Sequence, residues 1–369
     1  MHLVGCGADM SGAIAETYFS LSANEQNGLH AKPLPVIHIS TLLSFGDAGA
    51  GGYLYGRGMA QESISLSALT ELKYQRMRVC SSKRRRSDAE LVYALPTALE
   101  LLAIEKPKLP ERMRFKDKMY VVVSDALRRS HVDGVSFIVW QGPIETVTVE
   151  RRFVCTSPAC TWAMMSAYLS VAELAILGDS MMRRDNRLKR ATFEDFIAFL
   201  KRAEEYCQES VDSGQRRKAF KGIRNCYRAL RLMRENSDSS FETRTRLALM
   251  RYGLPCPQVN YAIRNPHTNK AMLLDMAYPE YSIAIEYDGG DHAGQWLADT
   301  SRRQAIQGAG WEYIQVTKLN LGDEEQEERL ARRVAEAIHR ATGWPVALTD
   351  RQSIRQLSDG RRDSRWQSR

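Results

Sequence analysis

Met272-Leu273-Leu274-Asp275-Met276, followed after a short turn by Ile283-Ala284-Ile285-Glu286-Tyr287-Asp288-Gly289-Gly290-Asp291-His292, is the stretch from which this chain's fold is read. Ile283, Ile285 and Tyr287 alternate with Glu286 and Asp288, the period-two pattern of a strand with two different faces. Residues i and i+2 of a strand share a face, so Glu286 and Asp288 project together, about 6.5 to 7 Å apart along the backbone. Met272 to Met276 reads as the preceding strand, and a hairpin through Tyr278-Pro279-Glu280 sets Asp275 beside Glu286. Three clustered acids repel one another unless a cation lies between them, and hard oxygen ligands select Mg2+, Mn2+ or Ca2+. The same spacing is also met by acids on a solvated sheet face.

Outward from this stretch the elements continue in a regular order. Upstream, a helix from Ser240 to Tyr252 stops at Gly253 with Pro255 beyond, and Val259, Tyr261 and Ile263 alternate as a strand before the turn Asn265-Pro266-His267-Thr268-Asn269. Downstream come a helix from Gln295 to Gly308, a strand from Trp311 to Val316, and a helix from Asp323 to Ala341 closed by Gly343. The predicted order is α-β-β-β-α-β-α, an α/β (α+β) class of fold. Glu324, Glu325, Glu327 and Glu328 early in the last helix, with Arg332, Arg333 and Arg340 later, complement its dipole.

The run Ile285 to His292, then Asp299, Arg302 and Arg303, then Gly310-Trp311, with Phe241-Glu242-Thr243-Arg244 and Tyr252-Gly253-Leu254-Pro255 before it, resembles the very-short-patch-repair-like endonucleases of the PD-(D/E)xK superfamily. The resemblance spans about Phe241 to Val316. It implies a restriction-endonuclease-like αβββαβ core with a flanking helix, and a metal-dependent DNA endonuclease acting in repair or defence. It further implies that Asp275 and Glu286 hold Mg2+ (or Mn2+), that Glu242 is an acid supplied from the first helix, and that His292 is an acid/base or a phosphate contact. Two positions depart from the superfamily pattern: Leu274 stands where proline is usual, and Asp288 where lysine is usual. Asp288 then becomes a candidate catalytic or metal-holding acid in its own right. Without that lysine a second reading stands beside the first: a non-catalytic DNA-binding or toxin–antitoxin-type regulator that retains the nuclease fold. Each residue also has a plainer role open to it. Ser239-x-x-Glu242 is a capping box, His292 a loop residue, and Asp299 with Arg302 a helical salt bridge.

Positive charge is concentrated between Met181 and Asp238, with 15 basic against 9 acidic residues, most of the chain's net +8. A helix predicted over Gln215 to Arg234 carries Phe220, Ile223, Tyr227 and Leu230 on one stripe and Arg217, Lys221, Arg224, Arg228 and Arg231 on another. Such a row either tracks nucleic-acid phosphates or is simply solvated. Arg217, Lys221, Arg224, Arg228 and Arg302 are the candidate DNA contacts.

At 369 residues the chain is long enough for more than one folded unit. The divisions read from composition are 1–60, weakly patterned around a glycine-rich stretch without a phosphate-loop ending; 61–160, a small α+β unit; 161–238, a helical basic connector; 239–343, the endonuclease-like unit; and 344–369, a basic tail. In the second unit Pro96 opens a short helix, and Met119 to Val123 and Val135 to Trp140 are strands. Thr156 to Trp162, Leu169 to Leu174 and Gly178-Asp179 resemble linkers preceding such nuclease domains and, more distantly, antitoxin-type regulators of abortive-infection systems; the plainer reading is a packing scaffold. Seven scattered cysteines without zinc-type spacing suit a reducing cytoplasm. No run approaches the roughly 18 apolar residues of a membrane span, so no membrane partner is expected. Leu3-Val4-Gly5-Cys6 looks like a lipoprotein processing site but follows only two residues, with no charged and apolar leader before it.

Overall fold

Residues 65–84, 90–111, 118–129, 131–212, 218–289 and 296–360 are described by the computed structural model. The Leu3–Cys6 tetrapeptide, the glycine-rich stretch, Arg217 and His292 lie outside them.

The first part of the described chain comprises α1 (Leu66–Arg84), α2 (Leu95–Leu101), β1 (Met119–Val123), β2 (Val135–Val139), β3 (Thr146–Val149) and β4 (Phe153–Thr156). Pro96 sits in the first turn of α2, where its missing N–H removes a donor that would have had no helical partner. β1 and β2 pair in parallel, β3 and β4 antiparallel, and Tyr93 bridges to Val121 and to Cys155, linking the pairs. β3 and β4 have only four residues each, too few for alternation to stand out in the sequence.

Four helices follow: α3 (Pro158–Met165), α4 (Val171–Met181), α5 (Phe193–Asp212) and α6 (Ile223–Leu232). Ser157 caps α3 by accepting from the Cys160 amide at 3.2 Å, and Ser170 caps α4 by accepting from Glu173 at 3.2 Å. Trp162 is fully buried and donates its indole N–H to the Leu174 carbonyl at 2.9 Å. The Thr156–Leu174 motif is therefore spent on helix starts and core. α6 is shorter than its periodicity suggested. Gly222 precedes it with φ 102°, a left-handed conformation that favours glycine, and a Cβ there would clash with Ser166 Oγ and the Ser166 backbone.

The last part runs α7 (Ser240–Arg251), β5 (Gln258–Arg264), β6 (Ala271–Tyr278), β7 (Ile283–Asp288), α8 (Trp296–Gly308), β8 (Glu312–Thr317), α9 (Glu324–Thr342) and α10 (Ile354–Leu357). Up to α9 this is the predicted order. One four-stranded sheet is formed in the order β5-β6-β7-β8, antiparallel at the first two junctions and parallel at the third. Leu249 of α7 and Leu330, Val334 and Ile338 of α9 pack with Met276, Ile283, Ile285, Ile314 and Val316. Ala305 and Ile306 of α8 pack with Met272, Leu274, Ala277 and Ala284. The fold is mixed α+β, with helices on both faces of this sheet.

The polar stretch Glu235 to Ser240, at the division between 161–238 and 239–343, is tightly held. Ser237, Ser239 and Ser240 are buried, and the Asn236 amide donates to the Met182 carbonyl at 2.9 Å. Across it Asp179 of α4 pairs with Arg246 of α7 at 2.6 Å, both about fully buried at 1% and 0% side-chain exposure. Arg244 grips Glu173 through two nitrogens, at 2.7 and 3.0 Å. Residues 344–360 of the expected basic tail are also ordered. Arg351 pairs with Glu324 and Glu327 of α9, the Thr349 and Gln352 amides donate to the Tyr252 and Arg251 carbonyls, and Ser353 with Gln356 forms a capping box for α10. Two arginines in 351–360, Arg351 and Arg355, masked the Ile354/Leu357 pair that packs against the core. Among the described residues no helix is long and apolar enough to cross a membrane.

Candidate active site

Strands β6 and β7 are joined by a one-turn 3-10 helix, Pro279–Tyr281, and by Ser282 in a left-handed conformation at φ 50°. The hairpin pairs Tyr278 with Ile283, Ala277 with Ala284 and Met276 with Ile285. The next pair in register is Asp275 and Glu286, and there the ladder gives way to side chains. The Asp275 amide donates to Glu286 Oε1 at 2.9 Å, and the Tyr287 amide donates to Asp275 Oδ2 at 2.9 Å. Each carboxylate thus occupies the space where the opposing strand's backbone would lie, and the two strands fork. β6 also turns over at this point. Met276 and Tyr278 pack with α7 and α9, whereas Met272 and Leu274 pack with α8. On the far side of β6, Asn260 is left-handed at φ 50° and is the one β5 residue between Gln258 and Arg264 missing from the β5–β6 register.

The fork is an acidic site in which Glu286 and Glu242 are withdrawn from water and Asp275 is half-buried. Glu286 is 1% exposed and Glu242, reaching in from α7, is 5% exposed. Desolvation raises the Asp275 carboxyl well above the usual range, reinforced by repulsion from Glu286 and Glu242. Glu286 is raised by the same desolvation, opposed by Arg302. Glu242 is pushed up to about 8, first by desolvation, with Asp238 and Glu286 adding repulsion. Ser239 Oγ accepts from the Glu242 amide at 3.1 Å, the expected cap, but the Glu242 carboxylate accepts from the Asp238 amide at 3.0 Å instead of from the Ser239 amide. Glu242 therefore both caps α7 and adds to the acidic field.

Arg302 is the residue whose position most changes the expectation. It is not part of the basic face of α6 and makes no ion pair with Asp299 among the described residues. From α8 it donates through Nε to Glu286 Oε2 at 2.8 Å and through Nη2 to the Leu273 carbonyl at 2.5 Å, with Nη2 2.6 Å from the same Glu286 oxygen. A buried carboxylate demands a counter-charge, which is the signal that could have found this pair. Asp288 shares the Glu286 face, half-buried, and accepts from Gln315 Nε2 of β8 at 2.5 Å. Tyr313 of β8 lies near enough to the acids for its phenol to be raised, by desolvation first and then by Glu286 and Asp275.

Among the described residues no group of three or more His, Cys, Asp or Glu side chains forms a ready cage for a metal ion. The pair itself has the donor chemistry for one. Asp275 Oδ1 receives no hydrogen bond among the described residues, and Glu286 Oε2 faces a cation already, that of Arg302. The charge need of the site is thus partly met by an arginine, and a divalent ion would share or displace that contact. Of the basic row, Lys221 and Arg224 of the α6 region are exposed and Arg228 is half-buried; none of the three makes an ion pair among the described residues. Arg231 donates to the Ser358 carbonyl at 3.1 Å.

No family model matches this chain, and no solved structure matches it. It is similar to an uncharacterized protein of Mycobacterium tuberculosis strain H37Rv, 32% identical over 108 residues, which is 28% of this chain and 39% of the relative. An uncharacterized protein of M. tuberculosis strain CDC 1551 matches with the same 32% identity over 108 residues. The chain thus spans about two fifths of the length of these curated relatives.

Proposed function

We propose that the chain is a divalent-metal-dependent DNA endonuclease with its cleavage site at the Asp275/Glu286 fork and a restriction-endonuclease-like C-terminal unit. The observation that carries this reading is the reciprocal clasp of the two carboxylates. Each is held by the other strand's amide, so two acids that repel are kept side by side where β6 and β7 fork, with one oxygen, Asp275 Oδ1, unspent. Keeping charged groups this close costs free energy that a cation recovers on binding. Asp275 and Glu286 would hold Mg2+ or Mn2+, which supplies charge neutralisation and an activated water at such a site. The reaction is hydrolysis: the water oxygen forms a bond to phosphorus, the P–O bond to the leaving sugar oxygen breaks, one water proton passes to that oxygen to give the alcohol, and the other stays on, or is released from, the phosphomonoester. Glu242, whose carboxyl is pushed up to about 8, is within electrostatic reach of both acids and would be the group that exchanges the proton. Lys221, Arg224 and Arg228 form a second, sequence-independent contact to phosphates.

One observation favours a non-catalytic, DNA-binding regulator: Glu286 is neutralised by Arg302 and Asp288 is held by Gln315, so the site is partly satisfied without a metal. Supercoiled-plasmid nicking in Mg2+ separates the two. The endonuclease reading expects metal-dependent nicking by the wild type and none by Asp275→Asn or Glu286→Gln; equal nicking by all three, or DNA binding without nicking by the wild type, goes against it.

A further inference from the structure

Arg302 has five N–H donors, and its hydrogen bonds among the described residues come from Nε and Nη2. Nε and Nη2 are clamped by acceptors from two different strands, the Glu286 carboxylate of β7 and the Leu273 carbonyl of β6, at 2.5 to 2.8 Å. Nη1 has no hydrogen-bond partner among the described residues and is not sealed in the interior; the side chain is 29% exposed while its Glu286 partner is 1% exposed. Two anchors fix the plane of a guanidinium, and a rigid plane with an unspent nitrogen is a prepared donor for an oxyanion. The guanidinium lies where β6 and β7 fork, within electrostatic reach of Asp275 as well as Glu286. The next residue, Arg303, stands over the Tyr313 ring with 5.2 Å to its centroid, which brings a second cation to the same side of the sheet.

We infer that Arg302 is a phosphate-binding residue of this site, offering its Nη1 edge to a nonbridging oxygen of a phosphodiester held at the Asp275/Glu286 fork; the inference rests on the nuclease reading for the identity of its ligand. The guanidinium stays charged throughout the physiological range, so the contact is present at every working pH. As hydrolysis proceeds, the nonbridging oxygens gather negative charge, and a donor already fixed in place stabilises them without reorganising. Glu286 then has two duties, as a ligand toward the cation and as the anchor that aims Arg302.

The test uses the full chain with Arg302→Gln and Arg302→Lys. Binding of a short fluorescent DNA duplex is followed by anisotropy in Ca2+, Mn2+ affinity is measured by calorimetry, and single-turnover cleavage is followed in Mg2+. Arg302→Gln should weaken Ca2+-supported DNA binding about tenfold and slow cleavage about a hundredfold or more, with Mn2+ affinity held or tightened, since a competing cation has left Glu286. Arg302→Lys, which keeps the charge but loses the planar fork, should recover only part of the loss. DNA binding by Arg302→Gln within about twofold of wild type overturns the assignment. Should that variant not fold, wild-type affinity and rate in Arg302→Lys overturn it equally. A wild type that binds DNA through Arg302 but never nicks counts against the nuclease reading and leaves the phosphate contact standing.

Discussion

Two acid–arginine pairs lie at the two ends of α7's neighbourhood, and they are built differently. Asp179–Arg246 joins α4 to α7 and is closed: both side chains are about fully buried, Asp179 also accepts from Thr243 Oγ1 at 2.9 Å and the Arg234 amide at 2.8 Å, and Arg246 also donates to the Leu232 carbonyl at 2.7 Å. Only Arg246 Nε is left without a partner. Glu286–Arg302 is half open, with its acid buried and its arginine 29% exposed, and it has a second acid in register beside it. The same residue types make a rivet in one place and a site in the other. What distinguishes them is whether the remaining donors and acceptors are satisfied from within.

The contrast breaks most visibly when one partner is removed. Asp179→Ala leaves Arg246 charged in a dry interior, and urea unfolding should show a loss of about 3 to 5 kcal/mol. Glu286→Gln, by contrast, should abolish Mn2+ binding and nicking while shifting the unfolding free energy by no more than about 1 kcal/mol, because Arg302 retains access to water. A large stability loss in Glu286→Gln, or a small one in Asp179→Ala, would erase the distinction.

A finer version concerns Glu242. Its folded carboxyl titrates at about 8, above the ordinary value of 4.5, so folding favours the protonated form. Stability from this group is complete below the unfolded value and is lost as pH rises toward about 8. Glu242→Gln should therefore unfold at higher urea than wild type at pH 8 to 9 and show a flatter pH profile between about 4.5 and 8. The comparison is read from chemical denaturation across that range; a wild-type profile that rises with pH there would oppose it. The smallest effect is at the surface. Replacing Lys221, Arg224 and Arg228 together by Ala should leave folding unchanged and reduce the salt dependence of DNA binding by roughly 2 to 3 units of slope.

The fork was largely legible in the sequence: the hairpin through Pro279 placed Asp275 against Glu286, and the period of two placed Asp288 on the Glu286 face. The order of elements from Ser240 to Thr342 was legible for the same reason, since each is long enough to show its own period. Arg302 was not, because its partner is 16 residues away and depends on how α8 lies over the sheet. Glu235 to Ser240 misled in a different way. Serines, Asn and Asp that look like a linker are also the residues that satisfy helix starts, and here they serve the start of α7. Likewise Arg351 reads as tail charge until Glu324 and Glu327 of α9 are brought beside it.

Calorimetric titration of Mn2+ into the full chain, wild type against Asp275→Asn, tests the central claim most directly. The fork as a metal site predicts saturable binding by the wild type that is lost in Asp275→Asn, with both proteins equally folded. Equal Mn2+ binding by the two proteins, or none by the wild type, would contradict it.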